Sequence, residues 1–333
     1  MHFRCIIILI AHINQLTNFA MCNKMPDKIM AIPTTRAKEC ADISIDIEKC
    51  NGCGLCVSVC KDFSLIIEDG KVKVSKTPLF GCIACGHCMA ICPTGAIEIH
   101  GRELSPQDLF DLPPKESAAN YEQILSLFQR RRSVREFLNK SVEPHIREQI
   151  IKAAATAPMG LPPSDVSLLI LDGKDKTRAF AQDFANYLEG MKWFVSKWFL
   201  ALMRPLWGKA NDEMFRGFVK PLFKTYTEGM KAGENLINYD APLAIYFYGS
   251  PYCDPADPII AATYAMVAAE ALGLGTCMLG GVHPLIQNGK KAAQLREKYG
   301  IKYKSREGLF VIFGYSAVKY RRGIERTFAN ITN

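Results

Sequence analysis

Eight of the 13 cysteines fall into two copies of one spacing, and this repeat constrains the chain more than any other feature. The copies read Cys50-x2-Cys53-x2-Cys56-x3-Cys60 and Cys82-x2-Cys85-x2-Cys88-x3-Cys92. Three thiolates on one tight loop can cap three corners of an iron–sulfur cubane, but the loop cannot also reach the fourth corner. A tetrahedral zinc site needs two separated Cys-x2-Cys pairs, which these triplets fit poorly. The spacing therefore predicts two [4Fe–4S] clusters in a chain that carries electrons.

The two cysteine runs, offset by 32 residues, resemble the module of the two-cluster bacterial ferredoxins. The resemblance implies that the last cysteine of each run ligates the cluster of the other run. Cluster I would then be held by Cys50, Cys53, Cys56 and Cys92. Cluster II would be held by Cys60, Cys82, Cys85 and Cys88. Short strands are predicted on either side of the runs, at Ile43–Ile47 and Ala96–Ile99.

Lys61 is a difference between the two runs, because it follows Cys60 where a proline follows Cys92. A positive charge there would raise the reduction potential of cluster II, since the net charge near a cluster sets its potential. The alternative is a solvated surface lysine, and the sequence favours neither.

The 333 residues are enough for more than one domain. We expect a poorly structured extension over residues 1–40 and the two-cluster ferredoxin domain over 41–102. Residues 103–120 contain three prolines and have the composition of a linker. A second domain follows over 121–333, with an aromatic and basic insertion at about 188–233.

Cysteine usage and the N-terminal residues indicate a cytoplasmic protein. Cluster-ligating thiols must stay reduced, which fits a reducing compartment. The apolar run Cys5–Ala11 is far shorter than the ~20 residues of a spanning helix, and no small-residue cleavage site follows it. An interfacial membrane anchor in this region is the alternative.

The formal net charge of +8 is unevenly distributed along the chain. Residues 41–102 contain seven acids and six Lys or Arg, so the positive excess lies elsewhere. Such an excess suits an anionic cofactor or an anionic protein partner. No basic run is interleaved with the stacking aromatics that single-strand binders use, so we expect no nucleic-acid partner.

Four arginines and a serine stand close together in Arg130-Arg-Arg-Ser-Val-Arg135. They directly follow an amphipathic helix predicted for Tyr121–Arg130. Guanidinium forks match the geometry of phosphate, and serine adds a hydroxyl donor. The group therefore predicts an anion site, although a basic helix end can also simply compensate the helix dipole.

The remaining sequence alternates between helical and strand patterns. Glu143–Ala155 has Pro144 in the first turn and one apolar face, as expected of a helix with one buried face. Apolar runs at Val166–Leu171, Leu243–Tyr248 and Leu309–Phe313 predict buried strands. Asp257–Leu272 is rich in alanine and other apolar residues, which indicates a central helix.

Four segments resemble the FMN-dependent nitroreductase family in order and spacing: RRSVREF, the APMG loop, GLGTCMLGG and the closing GYSAVKYRR. The resemblance covers about Tyr121 to the end, so the chain looks like a ferredoxin-fused member. It implies an α+β fold class, with an N-terminal two-cluster ferredoxin-like domain followed by an α+β sandwich. It also implies an intertwined homodimer with FMN bound at the subunit interface.

The resemblance also implies a set of FMN-binding residues: Arg131, Arg132, Ser133, Arg135, Pro158, Met159, Gly160, Leu279, Gly280, Gly281, Arg321 and Arg322. The first arginines and the serine would hold the phosphate and ribityl end, which Arg322, or else Arg321, would complete. The loop from Pro158 would lie along the ring. Gly280 and Gly281 permit close backbone approach, and an N–H there would stabilise reduced flavin near N5.

Two positions in this set of motifs stay open. Many relatives carry Asn-x-Gln where Leu161-Pro-Pro-Ser164 stands here, so Ser164 is only a candidate for the polar edge of the ring. His283 is the candidate catalytic acid, although a lone histidine is more often structural.

All three tryptophans lie within the insertion at 188–233, where aromatic residues alternate with Lys and Arg. A basic, aromatic, amphipathic segment can lie on an anionic membrane. We favour helices that roof the cofactor or pack on a dimer partner, and keep membrane contact as the alternative.

The sequence therefore predicts a flavoprotein oxidoreductase with two [4Fe–4S] clusters that relay single electrons to FMN. Its partners would be a ferredoxin-type or other low-potential electron donor and a small organic substrate, such as a nitro, quinone or activated-alkene compound. The alternative is an electron-transfer protein that serves a partner enzyme and has no small substrate of its own.

Overall fold

The structure, a computed structural model, describes residues 31–332. The chain divides into two compact units, and the boundary in the sequence lies between Phe110 and Asp111. The predicted extension is therefore described only from residue 31, and the apolar run Cys5–Ala11 lies outside the described residues. Within that extension, Thr34 is buried and the N–H of Ala37 donates a hydrogen bond to its hydroxyl.

Within residues 31–110, the first unit contains four short strands and two short helices. They are β1 (Asp42–Ile45), α1 (Leu55–Val59), β2 (Leu65–Glu68), β3 (Lys71–Val74), α2 (His87–Ile91) and β4 (Ile97–His100). A 3-10 turn follows at Pro106–Asp108. Strands β1 and β4 pair antiparallel, with Ile43 opposite Ile99, which confirms the two strands predicted around the cysteine runs. The hairpin β2–β3 was not predicted, because four-residue strands leave too little periodicity to recognise.

Each short helix of this unit begins directly after a glycine in the left-handed region, Gly54 with φ 72° and Gly86 with φ 75°. L-residues adopt that conformation at a steric cost, and glycine does not. The two glycines are 32 residues apart, so the helices repeat with the cysteine runs. The internal repeat of the sequence is thus also a repeat of backbone conformation.

The second unit combines seven helices and four strands within residues 111–332. The helices are α3 (Tyr121–Arg130), α4 (Pro144–Ala155), α5 (Lys174–Glu189), α6 (Lys197–Met214), α7 (Lys220–Lys231), α8 (Asp257–Ala271) and α9 (Lys290–Lys298). The strands are β5 (Val166–Asp172), β6 (Leu243–Gly249), β7 (Gly275–Leu279) and β8 (Gly308–Gly314). Short helical turns lie at Lys115–Ser117, Lys192–Val195, Phe215–Val219 and His283–Ile286.

The four strands form one antiparallel sheet in the order β5-β6-β8-β7, with a hydrophobic core on each face. Side chains alternate along β6: Tyr246 joins the core against α5 and α7, and Ile245 and Phe247 join the core against α4 and α8. Seven-residue strands buried on both faces explain the continuous apolar runs in the sequence. The predicted α+β sandwich is confirmed, and β7 is the strand that the sequence had shown only as a glycine-rich segment.

The insertion at 188–233 folds into helices whose aromatic side chains pack mainly on one another. Trp207 stacks on Phe215 with ring centroids 4.5 Å apart, and Phe199 meets Trp193 edge to face at 5.1 Å. Trp198 remains 61% exposed, so part of this surface faces solvent in the single chain. Among residues 31–332, no helix is both long enough and apolar enough to cross a membrane.

Candidate functional site

The predicted cluster I cysteines surround a common cavity in the first unit. Its lining includes all four thiols of the set: Cys50, Cys53, Cys56 and Cys92. Repulsion between the thiols indicates the same group. Burial raises the pKa of Cys56 most, and the charges of Cys92 and Cys53 raise it further. The structure thus brings the last cysteine of the second run to the first run.

The remaining four cysteines form the reciprocal group. Burial raises the pKa of Cys88 to about 12, and repulsion from Cys82, Cys85 and Cys60 adds to the effect. Cys60 therefore lies with the second run although it ends the first. Thiols that repel one another when ionised suit the positively charged core of an iron–sulfur cluster, which stabilises all of them as thiolates.

Main-chain N–H groups point at the sulfur atoms of the cluster I set. Hydrogen bonds from the N–H of Val72 and then Gly52 lower the pKa of Cys50. Burial raises the pKa of Cys92, but N–H donors that include Ala96, at 3.3 Å from the sulfur, lower it overall. Such N–H···S contacts stabilise thiolate ligands and tune a bound cluster.

No three His, Cys, Asp or Glu side chains within residues 31–332 converge closely enough to hold a single metal ion. A four-iron cubane is larger than one ion and takes one thiolate at each corner. Its ligands therefore stand further apart than those of a mononuclear site.

In the second unit, the arginine-rich segment after α3 runs beside the edge strand β7. The N–H of Val134 donates to the carbonyl of Thr276 at 2.9 Å, and Ser133 pairs with Thr276 in a parallel bridge. The contact is close because Gly275 has no side chain: a Cβ there would lie 2.6 Å from Val134. The sheet edge thus fixes the direction in which the arginines point.

Three of the candidate anion ligands lie around the buried thiol of Cys277. Burial raises the pKa of this thiol, whereas Arg135, Ser133 and Arg131 lower it. The guanidinium of Arg135 also lies 5.8 Å from the ring centre of Tyr239. Val134, between them in the chain, packs instead against Gly275 of β7.

Two adjoining cavities are lined by this segment and by the C-terminal residues. One, of about 370 Å³, is lined by Arg130, Arg132, Arg321 and Arg322 among others. Glu270 is the acidic residue of this lining. The other, of about 700 Å³, is lined by Arg130, Arg131, Arg132 and Arg326 among others. The predicted C-terminal arginines therefore share a cavity with Arg132.

The other predicted loops occupy separate positions. The N–H of Gly160 donates to the Asp257 carboxylate at 3.0 Å, which ties the Pro158–Gly160 loop to the start of α8. Leu279 is buried at the end of β7. Gly280 has open space where a side chain would be, whereas a Cβ on Gly281 would meet Leu222 at 3.2 Å. Met159 is 40% exposed, so this loop presents a side chain to solvent in the single chain.

His283 lies in a buried polar network away from the arginine segment. The hydroxyl of Tyr246 contacts Nδ1 at 2.8 Å, and Nε2 lies 3.4 Å from the carbonyl of Arg306. Gln287 donates to the Tyr246 hydroxyl at 3.1 Å, so the hydroxyl donates to Nδ1 and the ring is neutral with its proton on Nε2. Burial lowers the pKa of His283 and favours this neutral form. These contacts are those of a structural histidine.

Family comparisons agree with both parts of this arrangement. Residues 128–315 match the family model described as "Nitroreductase family", and residues 49–97 match the model described as "4Fe-4S dicluster domain". The first match covers more than half of the chain. This chain belongs to the nitroreductase family. It is an oxidoreductase enzyme whose nitroreductase domain is fused to a ferredoxin domain.

Individual relatives cover one unit each. A ferredoxin of Thermococcus litoralis is 42% identical over 60 residues, which are 17% of this chain and 95% of that ferredoxin. A nitroreductase with bound FMN from Bacteroides fragilis is 16% identical, covers 65% of this chain and all of its own, and has a TM-score of 0.47. Another with bound FMN, from Desulfitobacterium hafniense, is 19% identical over 62% of this chain and 98% of its own, with a TM-score of 0.44.

Sequence reasoning missed two polar groups at the site of this nitroreductase domain. Arg326 lines the larger cavity, but it follows the recognised motif and had no pattern to mark it. The hydroxyl of Thr276 is buried without a hydrogen-bond partner among the described residues, as is Nη1 of Arg131. Buried polar groups left unpaired are rare, and they are expected where a ligand completes the bonding.

Proposed function

We propose that this chain is an FMN-dependent oxidoreductase in which two [4Fe–4S] clusters relay electrons to the flavin for reduction of a small organic substrate. Nitro, quinone or activated-alkene compounds are the substrate classes. The observation that carries the proposal is one chain with two units: eight cysteines in two reciprocal groups, and an arginine–serine segment on a nitroreductase sheet edge.

The residues of the second unit fit the phosphate end of FMN. Arg131 has an unpaired buried Nη1, which a phosphate oxygen would satisfy. The cavity of about 700 Å³ beside it is lined by four arginines and one glutamate, so it favours an anion. Two similar proteins are described with bound FMN, which supports the choice of this phosphate ligand over others.

Bound FMN would convert single electrons from the clusters into the electron pairs that organic reductions need. The residues of this chain would bind and orient it. Arg131, Ser133 and Arg135 would hold the phosphate and ribityl end, with Arg321, Arg322 and Arg326 as C-terminal partners. Gly280 leaves room for close approach of the ring edge to the main chain. The Asp257 carboxylate would fix the Pro158–Gly160 loop along the ring.

A homodimer and a ferredoxin-type donor complete the proposal. Members of α+β flavin folds often complete the cofactor pocket with a second copy, and here Arg135 and Met159 remain exposed in the single chain. The cluster module offers one-electron entry, so a low-potential one-electron carrier is the expected donor. These assignments rest on the same cofactor site.

The first test removes the phosphate contacts. Arg131→Ala together with Arg135→Ala should abolish flavin binding, because each charge-assisted contact is worth ~1.5–3 kcal/mol and affinity should fall by orders of magnitude. Arg306→Ala is the control, since that exposed arginine contributes only its main-chain carbonyl to the network of His283. Flavin occupancy and iron content are measured on anaerobically purified protein. Unchanged occupancy in the double variant would show that the phosphate lies elsewhere.

The second test separates the enzyme from an electron-transfer subunit. We expect about eight iron atoms and one FMN per chain, and stopped-flow flavin reduction by a ferredoxin-type donor that Cys92→Ala slows strongly. Reduction by a small chemical reductant should persist in that variant, since it does not need cluster I. Flavin reoxidation by a nitroaromatic or quinone supports the enzyme, whereas reoxidation only by a protein partner supports the subunit.

A further inference from the structure

Arg102 is a buried cation in the ferredoxin unit, two residues after the end of β4. The residue is 7% exposed. A buried cation acts strongly on charges that form near it, because little solvent screens it.

The guanidinium reaches the loop that holds the second cysteine run. Its Nε donates to the carbonyl of Ile83 at 3.1 Å, and its Nη1 donates to the carbonyl of Glu39 at 3.0 Å. Ile83 directly follows Cys82, a predicted ligand of cluster II. Burial lowers the pKa of Arg102, whereas the charges of Cys40 and then Cys82 oppose that effect. The hydrogen bond to Ile83 thus places the side chain at the loop that begins with Cys82.

The backbone of Arg102 supports a dedicated position. Its φ of 51° lies in the left-handed region, as does the φ of 59° at Glu103. A non-glycine residue pays a steric cost there, and such positions persist only when surrounding contacts hold them. The contacts that hold these two residues include the two carbonyls and the ion pair between Glu103 and Arg36.

We propose that Arg102 is a redox-tuning residue that raises the reduction potential of cluster II. Reduction makes an already negative cluster more negative, so a nearby positive charge favours the reduced form. The effect is large for a buried charge because solvent screens it little. This proposal rests on the two-cluster assignment of the proposed function and on no feature of the flavin site.

Two lysines provide the comparison. Lys61, which follows Cys60, is exposed and donates to the carbonyl of Ser58 at 2.7 Å, so solvent screens its charge. Lys71 donates to the carbonyls of Ile47 and Cys50, on the cluster I loop. Each proposed cluster therefore has a cation that donates to the loop carrying three of its cysteines. Arg102, the cation at cluster II, is more deeply buried than Lys71.

The alternative is that Arg102 only clamps residues 36–41 onto the cysteine loop. The two roles shift the potential in opposite directions. Loss of the charge lowers the potential of cluster II. Loss of the clamp admits water, which stabilises the more negative reduced form and raises the potential.

The test is an anaerobic redox titration followed by electron paramagnetic resonance, with iron content and melting temperature as further readouts. We expect Arg102→Gln to disfavour reduction of cluster II by about tenfold, which is ~59 mV for one electron, and to leave cluster I unchanged. Arg102→Lys keeps the charge and should stay near wild type. Lys61→Gln is the matched control and should change neither cluster. An unchanged or raised potential of cluster II in Arg102→Gln would overturn the proposal.

If Arg102→Gln loses cluster II, the order in which the two clusters of the wild-type protein are reduced provides a second test. The signal of cluster I is assigned with Lys71→Gln, which should lower the potential of that cluster. We then expect cluster II to be reduced first in the wild-type protein. Reduction of cluster I first would overturn the proposal. An iron content near four per wild-type chain would instead refute the two-cluster assignment.

Discussion

At the scale of single residues, the surroundings of a side chain decide its role more than its type does. His283 stands two residues after the glycines of the flavin motif, yet its ring nitrogens are engaged by Tyr246 and by the carbonyl of Arg306. Arg131 belongs to an arginine-rich segment, yet it is singled out by a buried nitrogen without a partner. Among residues 31–332, no other arginine has such a nitrogen.

His283 should make stability depend on pH. Its pKa is lowered in the folded protein, so below pH 6.5, its ordinary pKa, the unfolded chain binds a proton that the folded chain does not. Stability due to this group is therefore complete above pH 6.5 and falls as the pH drops towards the lowered pKa. We expect the melting temperature of wild type to fall more steeply between pH 7.5 and 5.5 than that of His283→Asn.

The same variant tests whether His283 is the catalytic acid. With FMN bound, we expect turnover of His283→Asn to stay within a few-fold of wild type, since removal of a general acid would cost ~10²–10⁴-fold. Parallel melting curves, or a loss of that size in turnover at full flavin occupancy, would contradict a purely structural role.

At the scale of elements, the hairpin β2–β3 contacts the loop of the cysteines proposed to bind cluster I. Val72 of β3 donates its N–H to Cys50, and Lys71 donates to the Cys50 carbonyl. The turn of the hairpin comes so close to the first cysteine loop that a Cβ on Gly52 would lie 2.1 Å from the carbonyl oxygen of Gly70. The insertion between the cysteine runs therefore shapes a cluster pocket.

Gly52→Ala should selectively disturb cluster I. The new methyl group collides with main chain, which cannot rotate away as a flexible side chain can, so the hairpin or the cysteine loop must move. Gly70→Ala is the matched control: its φ of 71° is nearly the same as the 72° of Gly52, but nothing lies within 4 Å of its Cβ position. Both variants incur the left-handed cost of ~1–2 kcal/mol. Iron content and the cluster I signal should fall only in Gly52→Ala, and equal loss in both would contradict the steric argument.

At the scale of the whole molecule, the chain divides between Phe110 and Asp111 into units with separate hydrophobic cores. Residues 111–120 are all exposed. An exposed stretch between two compact units is a preferred site of proteolysis. The proposed cluster ligands lie before this stretch, and the proposed flavin ligands lie after it.

Brief trypsin treatment of the native protein should cut first after Lys115, which lies in this exposed stretch. We expect an N-terminal fragment that keeps the iron–sulfur absorbance and a C-terminal fragment that keeps the flavin, as judged by mass and absorbance after separation under anaerobic conditions. Lys115→Gln should slow the cut without changing the cofactor content. Loss of either cofactor on cleavage would mean that the two units depend on each other.

Local sequence was sufficient for features with a short-range physical cause. The cysteine spacing follows from how many corners of a cubane one loop can reach, so it predicts both ligand runs without a structure. Apolar runs and helix-start signals placed β5, β6 and β8 to within about two residues, and also α4 and α8, because burial and backbone periodicity are local. The arginines and serine after α3 predict an anion site because their charges must be compensated.

The tertiary structure alone decided which distant residues meet. It grouped Cys92 with the first run and Cys60 with the second, whereas the sequence had supplied this exchange only through a resemblance. It added Arg326 to the cavity that Arg131 and Arg132 line, and it enclosed Arg102 at the loop of the second cysteine run and His283 in the core. These outcomes depend on packing between segments many residues apart, where a glycine such as Gly275 permits an approach that no local pattern reveals.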